Sequence, residues 1–152
     1  MTTPVSNPAA CNCLALRQAA RHVTQIYDRF LGRGGLRATQ YSILARLKRN
    51  GAMTINALAA ELGMERTTLG RNIRPLQRDR LIVVVRGSAD RRSKELRLTQ
   101  EGDKRVAAAS KDWAAAQAQF EGVFGVARAN ALRTMAHAVA RTALDDAPRT
   151  TV

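Results

Sequence analysis

Cysteine and histidine are scarce in this chain of 152 residues, with two of each. Cys11 and Cys13 stand too close along the sequence to staple a fold, and two ligands do not make a structural zinc site, so no metal is expected and both thiols are expected to be reduced. With so little histidine, no glycine-rich phosphate loop and no cluster of carboxylates for acid–base work, the sequence argues against an enzyme and implies no cofactor. Long apolar runs are missing as well. The longest aliphatic stretch, residues 81–85, falls far short of the roughly 20 residues that a membrane-spanning helix needs, and a membrane partner is set aside. The opening Met1-Thr2-Thr3-Pro4 carries no basic region followed by an apolar core and a small-residue cleavage site, so a cytoplasmic location is expected. Negative charge is the last shortage: 12 acidic residues stand against 25 basic ones, a formal excess of +13. Such an excess implies a partner rich in negative charge. Most of the cations are arginines, whose planar fork grips phosphate or guanine bidentately, and this favours nucleic acid.

Hydrophobic residues at 45% and charged residues at 24% are the balance of a chain that folds, and the length suits one domain, 1–152, with or without a helical appendage. Leu16, Ala19, Ala20, Val23, Ile26, Tyr27 and Phe30 recur at three- and four-residue steps and predict a first helix over 14–31, stopped by Gly32-Arg33-Gly34-Gly35. A second helix over about 39–49 runs through Tyr41, Leu44, Ala45 and Leu47 to Gly51. Thr54 then offers an N-cap to a short helix carrying Ile55, Leu58, Ala59 and Leu62, and Gly63 is placed to end it in a left-handed conformation. After a tight turn the next helix covers about 66–80; Pro75 should bend it, and Glu65 is a poor N-cap for it. Residues 81–85 are β-branched enough for a strand, 87–93 are turn-forming, and Glu95-Leu96-Arg97-Leu98-Thr99 alternates like a returning strand, making a β-hairpin. Thr99 caps a long helix with Glu101 in its first turn and Val106, Ala109, Trp113, Ala116 and Phe120 along its stripe, loosened or ended by Gly122 and Gly125. An Ala-rich last helix over about 126–144 carries Leu132, Met135, Ala136, Val139 and Ala143 on one side. Residues 1–10 and 145–152 are expected to be flexible tails.

Two helices joined by a short glycine turn and followed by a basic hairpin make a winged helix-turn-helix, in a fold that is otherwise mainly α. At about 100° per residue over 66–80, Leu69, Ile73 and Leu76 fall on one side while Thr67, Gly70, Arg71, Arg74 and Arg78 cluster opposite. Gly70 lets the backbone approach a phosphate or base edge closely. Between Arg66 and Arg97 there are ten cations against three anions, over half of the chain's excess. Double-stranded DNA is the expected partner. The expected contact set is Arg66, Thr67, Thr68, Gly70, Arg71, Arg74 and Arg78 on the helix, with Asp90, Arg91, Arg92 and Lys94 on the hairpin. Thr67, Arg71 and Arg74 are the residues expected to reach base edges and nearby phosphates, and Arg91 or Arg92 the minor groove.

The stretch Asp90-Arg91-Arg92-Ser93-Lys94-Glu95-Leu96-Arg97-Leu98-Thr99-Gln100-Glu101-Gly102 resembles the D-x-R followed by L-T-x-x-G of the multiple-antibiotic-resistance regulator (MarR) family. Asn56-Ala57-Leu58-Ala59-Ala60-Glu61-Leu62-Gly63 is similar to that family's helix before the recognition helix, and Gln40-Tyr41-Ser42-Ile43-Leu44 to the helix before that. The resemblance covers about 13–144. It implies a homodimer, with dimerisation helices over 14–36 and 103–144 around a winged helix-turn-helix over 37–102. It also implies that Arg92 enters the minor groove, that Asp90 holds the wing, and that binding to a pseudo-palindromic operator is relieved by a small aromatic or phenolic ligand. Tyr27, Tyr41 and Trp113, with His22, are candidates to line the ligand's site.

Two other readings compete with a ligand-responsive repressor. Cys13 has a spacing to Tyr27 similar to that of the thiol-based peroxide-sensing branch of the same family, although Arg17 and Ala38 stand where that branch has tyrosines. Cys13 is then the redox candidate, with Arg17, Arg21 and a helix start favouring thiolate, and Cys11 on the partner chain the resolving thiol. A non-specific architectural DNA-binding protein is the third reading, since charge alone explains affinity for any duplex.

Overall fold

In a computed structural model of the chain, which describes residues 7–142, six α-helices and three strands succeed one another after a 3-10 turn at Pro8–Ala10. That turn lies in the expected N-terminal tail, whose residues 1–6 are outside the described residues, as are 143–152 with the whole expected C-terminal tail. Helix α1 (Asn12–Leu31) starts two residues earlier than its apolar spacing predicts, because Cys11 takes the N-cap position and its Sγ accepts the Leu14 N–H at 3.4 Å. Cys13 therefore lies in the first turn of α1 and not before it. Helix α2 (Ala38–Asn50) is capped from outside: Asp28 of α1 accepts the Ala38 N–H at 2.7 Å, and Gln40 Oε1 accepts the Arg37 N–H at 3.0 Å.

The helix-turn-helix follows as the capping residues dictate. Thr54 Oγ1 accepts the Ala57 N–H at 3.1 Å to start α3 (Ile55–Leu62), and Gly63, at φ 61°, ends it. Helix α4 (Arg66–Arg78) has Glu65 at its N-cap without a side-chain bond, as expected of that residue. It stops two residues short of the expected end. Pro75 sits in its last turn, and the chain leaves through Arg80 in a left-handed conformation at φ 57°.

The expected hairpin is a three-stranded antiparallel sheet. Strands β2 (Ile82–Arg86) and β3 (Lys94–Leu98) pair from Ile82 with Leu98 to Arg86 with Lys94. The third strand, β1 (Met53–Thr54), lies on the other edge of β3, with Met53 opposite Leu96. Two residues are too few to show a strand's alternation, so β1 is invisible to periodicity. Helix α5 (Gln100–Phe124) begins at Thr99, whose Oγ1 accepts the Gly102 N–H at 2.9 Å.

The chain divides into two compact units, one to Gln117 and one from Ala118. The first contains the main core, where Leu31, Leu36, Ile43, Leu44, Leu47, Leu58, Leu69, Ile73, Leu76, Leu81, Ile82, Leu96, Val106 and Ala109 are buried together. The second contains the last turns of α5 and helix α6 (Val126–Ala140), with Gly125 at φ 95° between them. There Phe120 stacks on Phe124 at 5.2 Å, Arg128 lies 4.3 Å over the Phe124 ring, and Arg133 pairs with Glu121 at 3.0 Å. Helix α6 ends at Ala140, before the expected 144, and Ala143 of its expected stripe lies outside the described residues. No helix among the described residues is long and apolar enough to cross a membrane.

Candidate nucleic-acid interface

The two sides of α4 separate as its sequence predicts. Leu69, Ile73 and Leu76 are 0%, 3% and 1% exposed, which fixes that side against the core, and Arg66, Thr67, Thr68, Arg71, Arg74 and Arg78 are exposed. Ile55, at the start of α3, joins Arg66, Thr67, Gly70, Arg71 and Arg74 in lining an open groove of about 470 Å³. A Cβ at Gly70 would meet nothing within 4 Å, so packing does not require glycine there. Its effect is to leave the groove floor at backbone level.

The wing tip is built on Asp90. Its Oδ1 accepts the Arg92 N–H at 2.9 Å, and its carbonyl accepts both the Ser93 N–H at 3.0 Å and the Ser93 hydroxyl at 2.7 Å. These bonds make an Asx-type turn that presents Arg91, Arg92 and Lys94 to solvent. The loop closes where Gly87 N–H donates to Ser93 O at 2.9 Å, and a Cβ at Gly87 would lie 2.0 Å from Ser93 Oγ and 2.5 Å from Asp90 O. Gly87 and Ser93 hold this turn in shape, although neither stands among the residues that the sequence puts forward for contact. The only signal for them was the turn-forming composition of 87–93.

None of Arg66, Arg71, Arg74, Arg91, Arg92 and Lys94 forms an ion pair among the described residues, whereas Arg78 pairs with its neighbour Asp79 at 3.2 Å. Arg86 and Lys94 stand directly across the sheet from each other. Like charges in that position oppose pairing of the strands, a cost that an anionic partner would relieve.

Tyr27, Tyr41 and Trp113 converge elsewhere in the first unit. With Val23, Thr24, Leu31, Ala38 and Ser42 they line a cleft of about 230 Å³. The Tyr41 and Trp113 rings stack at 6.3 Å with 17° between their planes, and the Tyr27 hydroxyl donates to Gln117 Oε1. Burial pushes the Tyr41 phenol above its ordinary pKa of 10.0. Tyr41, Ser42 and Trp113 also line a second cleft of about 290 Å³, together with Ala45, Arg46, Arg49 and Leu62. His22 is exposed on α1 and lines neither cleft. Cys11 and Cys13 are both exposed, and no group of three metal-ligating side chains occurs among the described residues.

The MarR family model matches residues 34–93, from the start of the helix-turn-helix into the wing. The M. tuberculosis transcriptional regulator MosR, in complex with DNA, is 38% identical and superposes with a TM-score of 0.70 over 87% of this chain and 99% of that one. A transcriptional repressor, CouR, bound to a 23-mer DNA duplex, is 25% identical with a TM-score of 0.78 over 93% and 100% of the two chains. CouR from Rhodococcus jostii RHA1, bound to p-coumaroyl-CoA, shares the fold at 20% identity and a TM-score of 0.75, over 91% and 98%. No curated protein matches the chain. With 38% identity to a regulator seen on DNA, over nearly that regulator's whole length, and a match to the MarR family model, the chain belongs to the MarR family of DNA-binding transcriptional regulators.

Proposed function

We propose that the protein is a cytoplasmic, homodimeric repressor that lays α4 in the major groove and the wing tip in the minor groove of a pseudo-palindromic operator, and leaves it when a small aromatic or phenolic ligand binds. The observation that carries this reading is the set of unpaired arginines on the outer side of α4 and on the Asp90 turn. Thr67, Arg71 and Arg74 read base edges, Arg66, Thr68, Arg78, Arg91 and Lys94 hold phosphates, and Arg92 enters the minor groove. Repression takes support from the DNA-bound repressor CouR, and a ligand from the R. jostii protein. The Tyr27–Tyr41–Trp113 cleft is the site that an aromatic ring fits. Dimerisation takes support from apolar side chains left exposed on α1 (Leu14, Leu16) and on α6 (Leu132, Met135, Val139).

Genomic fragments selected by the protein should share an imperfect palindrome whose half-site centres lie about one helical turn, ~34 Å, apart; protection of a single half-site would overturn the dimeric reading. Arg92→Ala should weaken binding and flatten its salt dependence by about one charge. Arg71→Ala or Arg74→Ala should shift base preference by about 1–3 kcal/mol. If all three variants bind every duplex as the parent does, the interface is elsewhere.

A thiol-responsive version of the same regulator is the second reading, favoured by the exposure of both thiols and by the use of Cys11 Sγ to cap α1. A peroxide would convert a thiolate to a sulfenic acid with release of hydroxide, altering the head of α1. Cys13→Ser and parent proteins should then differ in operator binding after mild peroxide, with the parent's loss reversed by reductant. Equal behaviour of the two removes Cys13 from the mechanism.

A further inference from the structure

We propose that Thr99 is a positioning residue for DNA binding: its hydroxyl locks the root of the wing to the end of the recognition helix. The inference rests on the reading of α4 and the wing as the DNA interface. Thr99 Oγ1 lies 2.7 Å from the Arg80 carbonyl oxygen and 3.1 Å from that of Leu81, and it accepts the Gly102 N–H at 2.9 Å. A hydroxyl has one proton and two lone pairs, so the donation is shared between the two carbonyls while a lone pair receives the amide. The Thr99 N–H also donates to Leu81 O at 3.0 Å, and the Thr99 carbonyl accepts the Asp103 N–H at 2.9 Å.

Both ends of this clasp are geometrically tight. Arg80 is the one non-glycine residue at positive φ among the described residues, a conformation that persists where the surroundings impose it. Gly102 lies so near the Leu81 carbonyl that a Cβ there would be 2.0 Å from its oxygen. Leu81 in turn donates its N–H to Leu76 O of α4 at 2.8 Å, and Lys48 of α2 pairs with Asp103 at 2.7 Å. One side chain thus joins the two residues that lead from α4 into the wing to the first turn of α5, next to the Ile82–Leu98 pair where the two wing strands begin their register.

Leverage makes the clasp matter to function. Five residues of strand carry the tip about 17 Å from its root, so a tilt of about 10° at the root would displace Arg92 by about 3 Å, enough to break a hydrogen bond. Capping α5 alone requires an acceptor at this position. Positioning also requires the proton given to Arg80 and Leu81.

The test is a double-mutant cycle on operator affinity with Thr99→Val, which keeps the shape and removes the hydroxyl, and Arg92→Ala. Thr99→Val should weaken binding roughly tenfold and lower the salt dependence as Arg92→Ala does, and the double variant should be within about twofold of the weaker single one. Arg71→Ala should still multiply in full with Thr99→Val, and Thr99→Ser should bind as the parent does. If Thr99→Val lowers only the melting temperature, or if its effect multiplies with that of Arg92→Ala, Thr99 is a cap and nothing more. Should Thr99→Val not fold by circular dichroism, Thr99→Asn takes its place, retaining an N-cap acceptor but lacking the hydroxyl. If Arg92→Ala alone binds like the parent, this inference falls; if Arg71→Ala and Arg74→Ala do so as well, the DNA-interface reading falls with it.

Discussion

A methyl group at Gly102 would lie 2.0 Å from the Leu81 carbonyl oxygen and 2.9 Å from Leu98 Cδ1, in a place where the opposing atoms are mostly backbone and cannot rotate away. Gly102→Ala should therefore destabilise the fold by about 1–3 kcal/mol, the usual range for overpacking. The measurement is a lowered urea midpoint with an unchanged m-value. Gly32→Ala is the matched control: Gly32 is in right-handed helical conformation at φ −59°, with nothing within 4 Å of the added carbon. It should be neutral or gain about 0.4–1 kcal/mol by restricting the unfolded chain. Loss of stability at both positions would mean that close approach is not what Gly102 provides. In the sequence Gly102 is recognisable only as the last letter of L-T-x-x-G; the reason for the letter is the carbonyl of a residue 21 positions earlier, which no local pattern encodes.

At the scale of elements, legibility follows how much each one depends on its own sequence. Helix α3 was readable at both ends because Thr54 and Gly63 act on neighbouring backbone. The buried side of α4 was readable because Leu69, Ile73 and Leu76 keep helical spacing. Elements defined by partners were not. Strand β1 exists through pairing with β3 some 40 residues away, and α2 begins where Asp28 of another helix meets its first N–H. The start of α1 was misplaced because cysteine is not an N-cap by propensity, yet Cys11 Sγ serves as one. The candidate site divides in the same way. The arginines of α4 and the wing were legible from charge and period, and the Tyr27–Tyr41–Trp113 convergence could be named as candidates but not assembled. His22 shares their helix and not their cleft, because its side of α1 faces solvent.

In the second unit Val126, Leu132, Met135 and Val139 of α6 are exposed, and in the first Leu14 and Leu16 of α1 are, apolar side chains on each that a homodimer would cover. Sedimentation equilibrium at micromolar concentration should give twice the 16.6 kDa chain mass, and Met135→Glu should shift the population toward monomer. A monomer for the parent at that concentration would leave those side chains without an explanation. The unpaired state of the interface arginines has a kinetic meaning of its own. A cation already engaged with a carboxylate must break that contact before it meets a phosphate, whereas in the proposed interface Arg66, Arg71, Arg74, Arg91 and Arg92, which form no ion pair among the described residues, would meet a duplex with only water and counterions to shed. Encounter is then governed by diffusion in the field of a polyanion, fast at low salt and steeply slower as salt rises. The time spent at each wrong site is short, because nothing but charge holds the protein there. With the proposed interface, such a regulator would find its address by sliding and hopping along the duplex, and residence time, more than arrival, would distinguish the operator from the rest of the chromosome.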